Sequence, residues 1–170
     1  MRVIHVIPSA FEYFDDIRSQ AFKLLEELNK LGVETEAFTL QYGSPNREEK
    51  ASIKEAAPSV HSHIGDFNAK NVIESFSDFD IVHLHCPFFG AAGKILRWKK
   101  LNPNSPLVIT YYREIKLEDT FSLIIRLYNA YFLPKIFNLA DASYRFNREQ
   151  STESIAAETL SVYNSFYTAN

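Results

Sequence analysis

The chain has 170 residues, 46% of them hydrophobic and 23% charged, a balance that excludes a disordered segment and suits one packed domain spanning residues 1–170. A net charge of −3 gives no reason to expect a nucleic-acid partner. The lone Cys86 excludes an internal disulfide, and the apolar run after Met1 is too short for a signal peptide, so the expected compartment is the cytoplasm.

In chain order, Val3 to Ile7 is a short β-branched apolar run closed by Pro8, the pattern of a strand buried on both faces. Ile17, Ala21, Leu24, Leu25, Leu28 and Leu31 then recur at helical spacing, with Asp15 and Asp16 where an N-cap and a first-turn acid belong and Gly32 as the stop. Val33 to Leu40 predicts a second strand. Residues 41–58 are polar and hold Gly43, Pro45 and Pro58, which predicts a loop with one helical turn near Glu48 to Ala56. Further strands are expected at Val60 to Ile64, Asp80 to Cys86, Leu107 to Tyr112, Ala142 to Phe146 and Leu160 to Tyr163. Helices are expected at Phe67 to Phe76, Ala91 to Leu101, Leu117 to Leu139 with an interruption near Pro134, and Glu149 to Glu158.

Strands alternating with helices imply a Rossmann-like, three-layer α/β domain with a mostly parallel sheet covered on both faces. In such sheets ligands bind beyond the carboxyl ends of the strands. That rule selects the loops Pro8 to Phe14, Leu40 onward, Cys86 to Gly90 and Tyr112 to Glu118. Charge is unevenly spread: residues 94–148 hold ten Lys or Arg against four Asp or Glu, a local net charge of +6. Lys94, Arg97, Lys99 and Lys100 share a short helix with Trp98, preceded by Phe88 and Phe89. That pattern fits either an ordinary amphipathic helix or one lying on an anionic membrane. The most apolar stretch, Phe121 to Ala140, contains Arg126, Pro134 and Lys135, which excludes a transmembrane helix.

Five segments, taken together, resemble the N-terminal domain of the group 1, retaining, nucleotide-sugar-dependent glycosyltransferases of GT-B fold. They are the strand–loop–helix from Val3 to Thr35, the strand Asp80-Ile81-Val82-His83-Leu84-His85-Cys86-Pro87, and the strand Pro106-Leu107-Val108-Ile109-Thr110-Tyr111-Tyr112. The fourth is Leu139-Ala140-Asp141-Ala142. The fifth is Ser161-Val162-Tyr163-Asn164-Ser165, similar to the segment at which that family crosses into its second domain. The resemblance implies the acceptor-binding half of an enzyme that moves a sugar from a nucleotide diphosphate to a hydroxyl acceptor, lipid-linked or saccharide. It implies no cofactor, and a cleft completed by a donor-binding domain absent from this chain. The family's E-x7-E element belongs to that second domain; Glu26 and Glu34 share the spacing by coincidence. Alone, the chain is expected to be inactive or weakly active.

The resemblance places acceptor contacts at Ser9, Phe11, Asp15 and Asp16 and sugar-centre contacts at His85, Tyr112 and Arg113. The departures from the family are specific. Asp15 and Asp16 stand where it has a Gly-Gly pair, and two carboxylates would repel a diphosphate, so either the loop is arranged differently or the site prefers a hydroxyl-rich, uncharged or cationic ligand. Tyr112 replaces a His, and a phenol is a poor base at neutral pH. These departures keep open a non-catalytic α/β module that pairs with another chain or binds a small ligand in the same crevice. A third reading, a zinc hydrolase, starts from His61, His63, His83, His85 and Cys86, because His-x-His on a strand points both imidazoles to one face. Neither pair has a carboxylate at short spacing, so no metal ligand set is assigned. His83 is expected inside the sheet and His85 near the crevice.

Overall fold

The computed structural model describes residues 1–8, 14–40, 60–65, 75–88, 92–113 and 126–168. Among them lie strands β1 (Arg2–Pro8), β2 (Glu34–Leu40), β3 (His61–Gly65), β4 (Ile81–Cys86), β5 (Leu107–Tyr111) and β6 (Ala142–Arg145). The α-helices are α1 (Asp15–Lys30), α2 (Ala92–Leu101), α3 (Leu133–Leu139) and α4 (Thr152–Thr168). All strand pairings are parallel, in the order β3-β2-β1-β4-β5-β6. This is a Rossmann-like α/β fold, and its order reverses between β1 and β4, where such sheets open a crevice.

Alternation along the strands divides the buried residues between two faces. Val3, Ile81 and Val108 point toward α1 and α4, where they meet Ile17, Leu24, Leu28, Ile155, Ala156 and Tyr163. Ile4, Val6, Val82, Leu84 and Ile109 point the other way, against Ile95 and Trp98 of α2 and Ile136 of α3. The ends of α1 explain how the chain re-enters the sheet. Gly32 adopts φ 87, its N–H donates to Asn29 O and the Val33 N–H to Leu28 O, a left-handed closure that glycine adopts without a Cβ penalty. At the other end Phe14 is the N-cap residue and no side chain caps the helix. Asp15, expected as the cap, is instead a first-turn acid beside Asp16, favoured there by the helix dipole.

One expected strand is overturned and one expected interruption takes a specific form. Leu160 to Tyr163 is not a strand: the helix begun near Ser151 runs unbroken to Thr168. Ile155, Ala156, Thr159 and Tyr163 are buried at helical spacing, and with no Gly or Pro to stop it, burial of this stripe outweighs the β propensity of Val162. The resembled crossing segment is therefore helix interior. The interruption expected near Pro134 is a π-helical turn, Tyr128–Phe132, in which the Leu133 N–H donates to Tyr128 O five residues back. Proline lacks the N–H that would bond four residues back, and the wider turn absorbs the mismatch. The expected loop 41–58, most of the Phe67 to Phe76 helix and the segment before Arg126 lie outside the described residues. Among the described residues no helix is long and apolar enough to cross a membrane.

Candidate functional site at the carboxyl edge of the sheet

Three elements converge where β5, β6 and the start of α1 meet. Arg113 follows β5, Arg148 follows β6, and Asp16 lies in the first turn of α1. Arg113 Nη2 donates to Asp16 Oδ1 and Arg148 Nη2 to Asp16 Oδ2, each at 3.0 Å. Asp15 pairs with Arg18 one turn along at 2.9 Å. Two carboxylates thus face three guanidiniums, and the repulsion expected from Asp15 and Asp16 toward an anion is offset by the neighbours the fold supplies. Both arginines and Asp16 stay partly exposed, so the group is a surface constellation of fixed donors and one acceptor carboxylate. Arg148 carries no motif of its own; its place in the loop after β6, a strand end like that before Arg113, is the signal that points to it.

Beneath it lies a buried polar network. His5 sits opposite His83 in the β1–β4 register, and His85 lies one pleat further along β4, opposite Thr110 of β5. His5, His83, His85, Thr110 and Tyr163 have no exposed surface. His83 Nε2 meets Thr110 Oγ1 at 2.7 Å and His83 Nδ1 meets the Tyr163 hydroxyl. That hydroxyl reaches His5 Nε2 at 3.5 Å, His5 Nδ1 meets His85 Nε2 at 3.0 Å, and His85 Nδ1 meets the Tyr112 hydroxyl at 2.9 Å. A neutral imidazole has one donor and one acceptor nitrogen. Two sets of tautomers satisfy every link: the chain of donors runs either from the Tyr112 hydroxyl through His85, His5, Tyr163 and His83 to Thr110, or in the reverse direction from the Thr110 hydroxyl to Tyr112.

Burial holds the imidazoles neutral. Desolvation lowers all three, with the charge of His85 adding to the effect on His5 and those of His85 and His5 on His83; His85 itself falls to about 3. Desolvation likewise pushes the phenols of Tyr112 and Tyr163 well up, and the Cys86 thiol to about 12, which leaves that thiol inert at neutral pH.

His85 was expected near the crevice; it is instead sealed under α1 and α4, because β1 brings His5 against it. Tyr112 stacks on Phe146 at 4.6 Å with its hydroxyl on His85, so Arg113 is the one of the three expected sugar-centre residues that reaches the surface. Ser9 and Phe11 lie outside the described residues. The basic helix also divides. Lys99 is buried, donating to Pro103 O, Ser105 O and Asp141 Oδ2. Trp98 and Phe88 are core residues, which removes them as membrane anchors; Phe89 is outside the described residues.

Residues 18–143, well over half of the chain, match the family described as Glycosyltransferase Family 4. The chain belongs to glycosyltransferase family 4. Its fold accords with that family's N-terminal-type Rossmann domain. No curated protein sequence matches it. Among solved structures, MT0777 is similar at TM-score 0.54 and 12% identity, over 96% of this chain and 97% of its own. TubZ of the Clostridium botulinum phage c-st is similar at 0.51 and 13%, over 96% of this chain and 58% of its own. An α-glucosyltransferase, solved with UDP and a 13-mer DNA containing a central A:G mismatch, is similar at 0.52 and 12%, over 91% of this chain and 39% of its own. The chain thus spans little more than half of TubZ and well under half of the glucosyltransferase. At these identities the likeness is one of fold.

Proposed function

We propose that this family 4 chain is the acceptor-side half of a retaining glycosyltransferase that moves a sugar from a nucleotide diphosphate donor to a hydroxyl. In this reading residues 1–170 are one domain, a second Rossmann domain supplies the donor site, and the chain alone turns over weakly or not at all. The observation that carries it is the Arg113–Asp16–Arg148 constellation, set at the carboxyl edge of the sheet in a family 4 chain. A carboxylate held between two guanidiniums offers an acceptor for a sugar hydroxyl and donors for a second hydroxyl or a phosphate on the same molecule. Because the arginines already fix Asp16, little side-chain freedom is lost when a ligand arrives.

The buried chain from Tyr112 to Thr110 has a positioning role. Tyr112 is a poor base, its phenol pKa being raised by burial, but its hydrogen bond to His85 fixes the end of β5 and so the base of Arg113. Ser9, Phe11 and Asp15 complete the proposed acceptor contacts, and the protein acts in the cytoplasm. A peripheral contact with anionic lipid would rest on the exposed Arg97 and Lys100 and not on Trp98. The test is calorimetry with a panel of nucleotide-diphosphate sugars, using the chain alone and joined to a donor-binding domain, with sugar transfer followed in parallel. Binding and transfer only in the joined protein are expected. Absence of both in the joined protein would favour the non-catalytic module instead.

A further inference from the structure

The sequence pairs His61 and His63 with no carboxylate, yet the sheet supplies one. Glu36 of β2 lies opposite His61 in the β2–β3 register, with His63 one pleat along the same face. His63 Nε2 is 2.7 Å from Glu36 Oε2, the two imidazole rings stand 4.7 Å apart at 81°, and one ligand atom from each of the three residues lies within 4.8 Å of the others. We propose that Glu36, His61 and His63 form a surface site for a divalent transition-metal ion of the zinc class, which clips the edge strand β3 to β2.

Two imidazole nitrogens and a carboxylate oxygen are a zinc-type donor set, with the remaining position open to water. Ligand atoms around a tetrahedral zinc lie roughly 3.3 Å apart, given metal–ligand distances near 2.0–2.1 Å, so closing the site takes small rotations of exposed side chains. The second oxygen of Glu36 is already engaged: Arg2 Nη2 donates to Oε1 at 3.0 Å, and the Arg2 guanidinium packs over the Phe79 ring. This outer contact orients the carboxylate with Oε2 toward the histidines, as outer-shell partners of metal ligands do. Zinc would take the place of the hydrogen between His63 Nε2 and Glu36 Oε2, so binding releases that proton, while the Arg2 bond to Oε1 stays.

The buried three-histidine cluster behaves differently. His5, His83 and His85 spend their nitrogens on each other and on buried hydroxyls, and the His83 and His85 rings are stacked at 14°, so their in-plane lone pairs run side by side and do not converge on one ion. The surface trio lies on the amino-terminal halves of β2 and β3, away from the Arg113–Asp16–Arg148 edge, and does not depend on the glycosyltransferase reading.

The test is calorimetric titration of the tag-free, chelator-treated chain with zinc chloride, with the thermal midpoint followed alongside. One zinc per chain at micromolar concentration and a rise in midpoint are expected, both lost in the His61→Ala/His63→Ala double variant. Glu36→Gln should weaken binding by about tenfold or more. The double variant is checked by circular dichroism in chelator; if it fails to fold, Glu36→Gln decides. Undiminished zinc binding in a folded double variant, or in Glu36→Gln where that variant decides, overturns the proposal. So does the absence of binding by the unmodified chain up to millimolar zinc.

Discussion

The two faces of the sheet are built from alternate residues of the same strands, yet they hold the protein together in different ways. Toward α2 and α3 the buried side chains of β1, β4 and β5 are Ile4, Val6, Val82, Leu84, Cys86, Leu107 and Ile109, joined mainly by dispersion and burial, which are non-directional. Toward α1 and α4, Val3, Ile81 and Val108 are interleaved with His5, His83, His85, Thr110 and Tyr112, whose contacts are directional. The first face tolerates small shifts at graded cost. The second needs every partner in place, because each buried nitrogen or hydroxyl left without one costs its full desolvation. A rigid polar layer directly beneath the carboxyl edge is where a site needs fixed geometry.

Acid should separate the faces most. All three imidazoles have folded pKa values depressed by burial, so between the ordinary value near 6.5 and the folded values the unfolded chain binds more protons than the native one. Stability is therefore full above about pH 6.5 and falls as the pH drops below it. By pH 5 each imidazole that must stay neutral costs about 2 kcal/mol, and the three together about 6 kcal/mol, comparable with the whole stability of many domains. The titratable groups facing the trio are Tyr112, Tyr144 and Tyr163, all neutral in this range because burial raises them. Urea unfolding from pH 8 to 5 measures the slope, and His85→Gln should remove about a third of it. A flat profile from pH 7 to 5 would mean that the network protonates without unfolding.

Matched substitutions on the two faces sharpen the contrast at a somewhat smaller scale. Leu84→Ala on the apolar face should cost about 2–5 kcal/mol, equally at pH 8 and pH 6. Tyr163→Phe removes one hydroxyl that serves both His83 and His5, at about 1–3 kcal/mol for each nitrogen left unpaired. It is nearly isosteric, so a cost under about 0.5 kcal/mol in chemical denaturation would show that packing, not the hydrogen-bond chain, holds that face.

Much of this was legible in the sequence. β1, β4 and β5 are marked by β-branched runs, β2 by alternation, and α1 by the spacing of Ile17, Ala21, Leu24, Leu25 and Leu28 and by Gly32, all of which act locally. What was not legible is what the strand order creates. A single His in Val3 to Ile7 carries no signal until β1 is placed beside β4, and Glu36 lies 25 residues before His61 and meets it only through the β2–β3 pairing. Sequence spacing likewise cannot separate Lys99, turned inward onto Asp141, from the exposed Arg97 and Lys100 beside it. Leu160 to Tyr163 differs for another reason: the β propensity of Val162 and Tyr163 is local, whereas the buried stripe of Ile155, Ala156, Thr159 and Tyr163 carries the helix through them.

The smallest effect on folding belongs to the residues proposed to act on ligand. Arg113 and Arg148 bind Asp16 where all three are at least one-third exposed, and solvent screening leaves such pairs no more than about 1 kcal/mol of stability. Arg113→Ala should therefore move the unfolding midpoint little, less than either core substitution. In the joined, two-domain protein the same change removes a charged donor from the acceptor site, where such a bond contributes about 1.5–3 kcal/mol, so kcat/KM for transfer should fall roughly tenfold to a hundredfold. Arg148→Ala should fall less, because that side chain is the more exposed of the two. A protein in which Arg113→Ala lowers stability by several kcal/mol while transfer is unchanged would reverse the assignment, making the carboxyl-edge ion pairs part of the scaffold and leaving the acceptor to be held elsewhere along the β1–β4 crevice.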